Sequence, residues 1–322
     1  MDTKAKIYIA GHQGLAGAAI KKRLQSLGYE RLILATHEEL DLTNQQATEH
    51  FFSTEQPEYV VLAAARVGGI YANNTFPAEF IYQNLMIQAN VMHSAWKHGV
   101  KRLLFLGSNC AYPRASAQPI KEESLLTGAL EYTNEPYAVA KIAGIKLCEN
   151  YNRQYGTCFI TAMPSCLYGP NDHYDEARNH VLPALIRRAH EAKVQGDTEL
   201  VIWGSGKPLR EFLYVEDMAA AAVFLLNQPS LEKDLFNLGT GTDVSIKELA
   251  SLVCEVVDFR GALVLDTAKP DGVPRKLLDV ARINNLGWKA TTTLREGIQH
   301  TYADFLQRIS NKNIWTNDSV LI

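Results

Sequence analysis

Three glycines spaced three apart, in Gly11-His12-Gln13-Gly14-Leu15-Ala16-Gly17, constrain this chain more than any other stretch. They follow Ile7-Tyr8-Ile9-Ala10, whose unbroken apolar character is that of a strand buried on both faces. They precede a segment in which Ala18, Ala19, Ile20, Leu24 and Leu27 recur at helical spacing, with Lys21, Lys22 and Arg23 on the other side. Strand, glycine turn, helix is the setting of a dinucleotide-binding fingerprint. There the glycines permit a tight turn, let the backbone approach a pyrophosphate, and let helix and strand pack closely. The helix N-terminus adds unpaired N–H groups and partial positive charge. The spacing GxxGxxG departs from the GxGxxG of many dehydrogenases, and an ordinary glycine-rich βα turn would use the same residues. The rest of the chain has to discriminate.

The 322 residues leave room for one large domain or two modest ones. With 47% hydrophobic and 21% charged residues the composition is that of a globular protein. A net charge of −3 gives no reason to expect nucleic acid or an anionic membrane as partner. No apolar run approaches the roughly 18–20 residues of a membrane span. Met1-Asp2-Thr3-Lys4 lacks the apolar core of a signal peptide, so we expect a cytoplasmic protein. Cys110, Cys148, Cys158, Cys166 and Cys254 are odd in number and contain no CxxC pair, and they read as reduced thiols rather than metal ligands.

Strands and helices alternate through the first half. Arg31–Ala35 reads as a second strand, ending in Thr36-His37 without the carboxylate that often takes the ribose 2′-hydroxyl of NAD. That absence favours NADP, with His37 facing a 2′-phosphate, and Asp41-Leu42 suits contact with the adenine. Residues 45–53 read as a short helix and Tyr59–Ala65 as a strand whose small final residues let a dinucleotide lie close. Gly68-Gly69 and Asn73-Asn74 mark a loop, residues 77–98 a long helix, and Arg102–Gly107 a strand with Ser108-Asn109-Cys110 at its ligand-binding end. Such alternation predicts an α/β fold with a doubly wound parallel sheet.

Tyr137-Ala138-Val139-Ala140-Lys141 is the second signal. On a helix, positions i and i+4 share a face, so phenol and ammonium can serve one site. A lysine ammonium there is expected to lower the tyrosine pKa and make the phenol a proton donor to a carbonyl, with Ser108 hydrogen-bonding the same oxygen. The YxxxK spacing alone is also common on solvated helices. Its weight comes from its combination with the glycine turn and Ser108.

At these residues the chain resembles the extended short-chain dehydrogenase/reductases, and within them the GDP-L-fucose synthase family. The resemblance runs from about residue 6 to residue 305, through Ala63-Ala64-Ala65-Arg66-Val67-Gly68-Gly69-Ile70, Asn134-Glu135-Pro136-Tyr137-Ala138 and Lys141–Glu149. It continues through Trp203-Gly204-Ser205-Gly206, Arg210-Glu211-Phe212-Leu213 and Lys269–Lys276. It implies a Rossmann domain over residues 1–171 and 212–240, a smaller, mostly helical GDP-sugar domain over 172–211 and 241–322, and a homodimer. The family's reductive triad falls on Ser108, Tyr137 and Lys141, and its epimerase pair on Cys110 and His180. Its NADP contacts fall on Gly11, His12, Gln13, Gly14, Leu15, Ala16, Gly17, His37, Asp41, Leu42, Leu106, Gly107, Ser108, Asn109, Lys141, Pro164, Ser165, Cys166, Leu167 and His180. Its GDP-sugar contacts fall on Arg188, Trp203, Arg210 and Asp271, with Arg275 and Lys276 adding positive charge.

The residue types suit that chemistry. Removing protons α to a C4 ketone needs a base on one side and an acid on the other, and a thiolate with an imidazolium can exchange these roles. Taken alone, Cys110 also reads as a small buried hydrophobe, His180 as a polar residue at a helix start, Arg188 and Arg210 as surface charge, and Trp203 as interdomain core. Three departures from the family pattern stand out. Gln13 and His37 replace arginines at the 2′-phosphate, so NADH is an alternative cofactor. Asn109 stands where a serine is usual, and Pro164-Ser165-Cys166 where Pro-Thr-Asn is usual. The competing reading is a paralogous reductase of a related GDP-4-keto sugar, such as a 6-deoxyheptose or colitose precursor.

Overall fold

The computed structural model describes residues 1–175 and 180–310. The first part alternates β1 (Ile7–Ala10), α1 (Leu15–Ser26), β2 (Leu32–Ile33), α2 (Gln45–Glu55) and β3 (Tyr59–Leu62). Then come α3 (Ile70–Thr75), α4 (Pro77–Lys97), β4 (Arg102–Leu106), α5 (Glu135–Tyr155) and β5 (Phe159–Pro164). Next are β6 (Cys166–Tyr168), α6 (Val181–Gln195), β7 (Glu199–Trp203), β8 (Leu209–Arg210), β9 (Phe212–Tyr214) and α7 (Val215–Asn227). The last elements are β10 (Leu235–Leu238), β11 (Val244–Ser245), α8 (Ile246–Val257), β12 (Ala262–Asp266), β13 (Arg275–Lys276), α9 (Ala281–Asn285) and α10 (Leu294–Ser310).

Six strands pair in parallel in the order β10-β5-β4-β3-β1-β2. The order reverses direction at β1, so the glycine turn lies at the switch point where such sheets open a crevice. A parallel sheet needs cover on both faces. Ile7 and Ile9 of β1 face the layer that contains Ile20 and Leu24 of α1 and Met218 and Leu225 of α7. Tyr8 and Ala10 face the layer that contains Phe52, Val91 and Ile145 of α2, α4 and α5. The two-residue side-chain period therefore buries every residue of β1, which explains its unbroken apolar run.

A third core packs Leu185 and Ile186 of α6, Leu249 and Val253 of α8, and Ile298 and Phe305 of α10 around Leu200 and Ile202 of β7. Strand β12 pairs in parallel with β7, and β8 pairs with both β11 and β13. The parallel pair β6–β9 lies at the seam, with Leu213 in the first core and Phe212 and Tyr214 in the third.

Several local expectations are corrected. Residues 70–75 are helical where a loop was expected, and the Asn73 amide donates to the Gly68 and Gly69 carbonyls at 2.8 and 3.1 Å, closing the turn from within. Only Leu32 and Ile33 of the expected second strand pair with β1. Just beyond, the Glu39 carboxylate accepts the Thr36 N–H and hydroxyl at 2.8 and 3.0 Å and bends the chain away. β3 ends at Leu62 rather than Ala65, because the next residues pass beneath the glycine turn. Leu278, Ile283 and Trp288, expected in the second unit, pack into the cores of the large sheet, tied in by a bridge from Ile120 to Leu278. Residues 176–179 and 311–322 of that expected unit lie outside the described residues.

The glycine turn is built on close approach. Gly11 has φ +81°, and a Cβ there would lie 2.7 Å from the Ala64 nitrogen. A Cβ on Gly17 would lie 2.1 Å from the Gly11 carbonyl oxygen. Gly17→Ala is therefore expected to lower the unfolding free energy by about 1–3 kcal/mol in urea denaturation, despite alanine's better helix propensity. Unchanged stability would show that α1 does not press on the turn as described.

Candidate active site

The fingerprint residues form a cradle suited to a dinucleotide pyrophosphate. α1 begins after Gly14, no side chain caps its first turn, and that turn carries no acid. Its leading N–H groups are thus open to an anion. A side chain at Gly11 or Gly17 would intrude on the turn itself. Leu15 and Ala16 pack against the first core. The Gln13 carbonyl accepts from the Asn171 amide at 2.8 Å. Asn171, at φ +73°, also donates its N–H to Asp304 at 3.1 Å and accepts from Arg308 at 3.0 Å, so α10 braces the turn from outside.

At the adenosine end the structure departs from the sequence reading. Glu39 brings a carboxylate back to the tip of β2, where none was expected. The Thr36 N–H and hydroxyl hold that carboxyl below the usual range. His12 is buried with Nδ1 unpartnered; burial, then the nearby Lys21, lower its pKa, and Glu39 opposes them. Asp41 accepts the Thr43 N–H and hydroxyl at 2.8 and 2.7 Å, and Leu42 is buried in the second core. Asp41 thus spends one carboxylate oxygen on its own turn and stays exposed. His37 is half-buried.

The catalytic candidates meet at the end of β4. Leu106 lies in the first core, and the Gly107 N–H bonds to the Ala162 carbonyl at 2.8 Å. Ser108 accepts the Cys110 N–H at 3.2 Å, capping the short turn Asn109–Ala111. From α5, Tyr137 hydrogen-bonds with Ser108. Lys141, one turn on, is buried; its Nζ donates to the Leu106 carbonyl at 2.8 Å and lies 4.7 Å from the Phe105 ring centroid and 5.7 Å from that of Tyr137.

The expected lowering of the Tyr137 pKa is not found. Burial raises it above the ordinary phenol value, Cys110 adds to the rise, and the Ser108 hydrogen bond opposes it. Lys141 cannot compensate, because burial pulls its own pKa down to about 7. The phenol is thus held protonated across the working range, as a proton donor must be.

Around the Cys110 sulfur stand two amides. The Asn134 Nδ2 donates to Sγ at 3.2 Å, and the thiol donates to Asn109 Oδ1 at 3.8 Å. Asn109 is buried. Beyond Pro164, the last residue of β5, Ser165 is buried with its hydroxyl unpartnered. The Cys166 N–H bonds to the Glu211 carbonyl at 3.2 Å, and Leu167 packs on the first core. Burial raises the Cys166 thiol; Lys276 and Arg210 oppose it, while Cys110 adds to it. The structure therefore brings Ser108, Tyr137, Lys141, Cys110, Cys166, Arg210 and Lys276 into one neighbourhood.

His180 is not joined to the sulfur by a contact among the described residues. It stands at the start of α6 without capping it and keeps an exposed edge, while surrounding protein and then His173 lower its pKa. Arg188 donates to the Val201 carbonyl, and Trp203 is 67% exposed beneath Lys269, 5.3 Å from its ring centroid. Trp203 is therefore surface rather than interdomain core. Asp271 accepts the Ser205 N–H and hydroxyl at 2.8 and 2.6 Å. Arg210 donates to the Leu209 carbonyl at 2.7 Å. Arg275 is committed to Asp243 through Nε at 2.6 Å and Nη2 at 3.2 Å, so of the two added cations only Lys276 acts toward Cys166.

Sequence reasoning named Asn134 and Glu211 only within family motifs, without a role, and passed over Asn171. Asn134 had a signal, an asparagine just before a helix with proline in its first turn, but that signature reads as a cap.

No helix among the described residues is long and apolar enough to cross a membrane. Residues 7–239 match the model of the NAD dependent epimerase/dehydratase family. The chain is similar to GDP-L-fucose synthase 1 of Arabidopsis thaliana, 56% identical over 97% of this chain and 96% of that protein. It is 50% identical to the GDP-L-fucose synthase of Escherichia coli over 95% of this chain and 98% of that one. Among solved structures, the GDP-mannoheptose C4 reductase of Campylobacter jejuni with NADP bound is 43% identical, with a TM-score of 0.87 over 95% of this chain and 99% of that one. With its parallel sheet, glycine turn and Ser108–Tyr137–Lys141 arrangement, the chain belongs to the NAD dependent epimerase/dehydratase family.

Proposed function

We propose that this protein converts GDP-4-keto-6-deoxy-D-mannose to GDP-L-fucose, by epimerisation at C3 and C5 followed by NADPH-dependent reduction of the C4 ketone. The observation that carries the reading is the Cys110 sulfur beside the hydrogen-bonded Ser108–Tyr137 pair. The similarity to GDP-L-fucose synthases supports it.

The protons at C3 and C5 are both α to the ketone, so removing either places negative charge on the C4 oxygen. Ser108 and Tyr137 hydrogen-bond that oxygen, stabilising the charge where it develops. Cys110, as thiolate, takes the proton on one side, and His180 serves as acid on the other. NADPH, when bound, would supply the hydride that reduces C4. Gly11, Gly14 and Gly17 would seat its pyrophosphate, and His12, Leu106–Asn109 and Pro164–Leu167 would hold the rest of it. Tyr137 then donates its proton to the C4 oxygen, and the Lys141 ammonium steadies the phenolate left behind. Arg188, Arg210 and Lys276 face the diphosphate, and Trp203 and Asp271 the remainder of the nucleotide.

The second reading is a paralogous 4-ketoreductase, with reduced or no epimerase activity, of a related GDP-4-keto-6-deoxy sugar such as a 6-deoxyheptose or colitose precursor. It is favoured by Asn109 and Cys166 flanking Cys110 and by the Campylobacter jejuni neighbour. A homodimer is supported by Tyr82, Val139 and Tyr155, exposed apolar residues on the adjacent helices α4 and α5. A cytoplasmic setting is supported by five free cysteines.

Three measurements test this function. In D₂O without NADPH, the wild type should incorporate deuterium at C3 and C5, and Cys110→Ser should lose that exchange, because a serine hydroxyl stays protonated where a thiol ionises. Exchange at neither carbon in the wild type would establish the reductase reading. For reduction, kcat/KM should fall tenfold per pH unit above about 7, where buried Lys141 loses its ammonium, and Lys141→Met should be slow and lack that limb. A flat profile to pH 9 in the wild type would remove the ammonium from the mechanism. Because Glu39 stands at the ribose end with no arginine at position 13 or 37, the NADPH preference should be modest. His37→Arg should raise NADPH over NADH selectivity by about tenfold or more; a wild-type preference of several orders of magnitude would contradict this.

A further inference from the structure

Asn134 occupies the N-cap of α5, and its residue type is among the best at accepting the orphan N–H groups of a first helical turn. It makes no such bond. Its amide instead reaches sideways to the Cys110 sulfur at 3.2 Å, and its Oδ1 is left buried without a partner. Both the forgone cap and the orphaned carbonyl act against stability. A side chain held so against its local preference is the pattern of a functional constraint.

The orientation of the amide follows from counting protons. A thiol has one hydrogen, and Asn109 Oδ1 accepts it. The closer neighbour, Asn134, turns its side-chain donor Nδ2 toward the sulfur, its backbone N–H being spent on the Glu131 carbonyl. When the thiol ionises, Asn109 Oδ1 loses its proton and repels the sulfur, whereas the Asn134 N–H bonds more strongly to the thiolate. The two amides pull the equilibrium in opposite directions. Titratable groups face the sulfur from two elements, Tyr137 from α5 and Cys166 from β6, with Lys276, Arg210 and Glu211 behind Cys166. Among the described residues no cationic side chain hydrogen-bonds it.

We propose that Asn134 is the positioning residue of Cys110: its N–H holds the sulfur against the Ser108–Tyr137 pair and stabilises the thiolate, setting the pH at which Cys110 becomes a base. The proposal rests on the reading of Cys110 as the epimerase base, and its test separates the two.

Full-length wild type, Asn134→Asp and Asn134→Ala would be alkylated with iodoacetamide from pH 5 to 10, with Cys110 followed by peptide mass spectrometry. Asn134→Asp keeps the shape but replaces the donor with a carboxylate, and the pH of half-maximal Cys110 alkylation should rise by at least about one unit, a tenfold loss of thiolate at neutral pH. Asn134→Ala removes the donor without adding charge and should shift the profile the same way by less. C3 and C5 deuterium exchange at pH 7 should fall about tenfold in Asn134→Asp and recover as the pH is raised. A merely structural role would not produce that recovery. Unshifted alkylation in both variants, with unchanged melting temperatures, overturns the proposal; if Asn134→Asp does not fold, the Asn134→Ala profile decides it. Wild type that fails to exchange overturns the epimerase reading alone, and the alkylation shift still decides the role of Asn134.

Discussion

The seam between the large sheet and the third core is organised by one buried carboxylate. Glu211, between β8 and β9, accepts the N–H of Gly241 at 2.7 Å and of Leu278 at 3.0 Å, together with that of Thr240. Its own carbonyl accepts the Cys166 N–H. Four separate passes of the chain are thus pinned at one point. Burial pushes the Glu211 pKa up to about 7, and the backbone donors oppose the rise. Gly239 has to be glycine here, since a Cβ would lie 2.2 Å from the carboxylate. Without this clamp Cys166, Arg210 and Lys276 would have no fixed relation to Cys110.

Across the site, burial acts on each group in the same sense. It favours the neutral form of Lys141, Tyr137 and Cys166 as well as that of Glu211. The cations that act on this neighbourhood, Lys276 and Arg210, bear on it through the Cys166 thiol. A weakly charged interior costs little to desolvate and concentrates the field on charge that develops during reaction.

Much of this was legible in the sequence because it depends on local pattern. The apolar run of β1, the glycine turn and the Tyr137/Lys141 spacing each carry their own periodicity, and the sheet follows from their alternation. What escaped depends on partners distant in sequence. The carboxylate at the tip of β2 comes from a turn that swings Glu39 back to Thr36. The direction of the Tyr137 shift depends on burial, which spacing does not reveal. Residues 278–290 look like the tail of a second domain and yet complete the core of the first. Strand order put Cys110 at the ligand-binding end of β4, but only family resemblance gave it a role, and the contact of Asn134 with its sulfur joins positions 24 residues apart.

The brace that Asn171 provides to the glycine turn has a consequence for how the molecule is made. Asn171 is held by Asp304 and Arg308, which lie on the last described helix. A ribosome delivers β1 and α1 nearly 300 residues before α10. During that interval the emerging chain carries its phosphate cradle unsupported, and the sheet lacks both its β10 edge and the cover from residues 278–290. The glycine turn therefore acquires its brace only once α10 has emerged, and until then the unfinished chain is the species most in need of shielding from other unfinished chains.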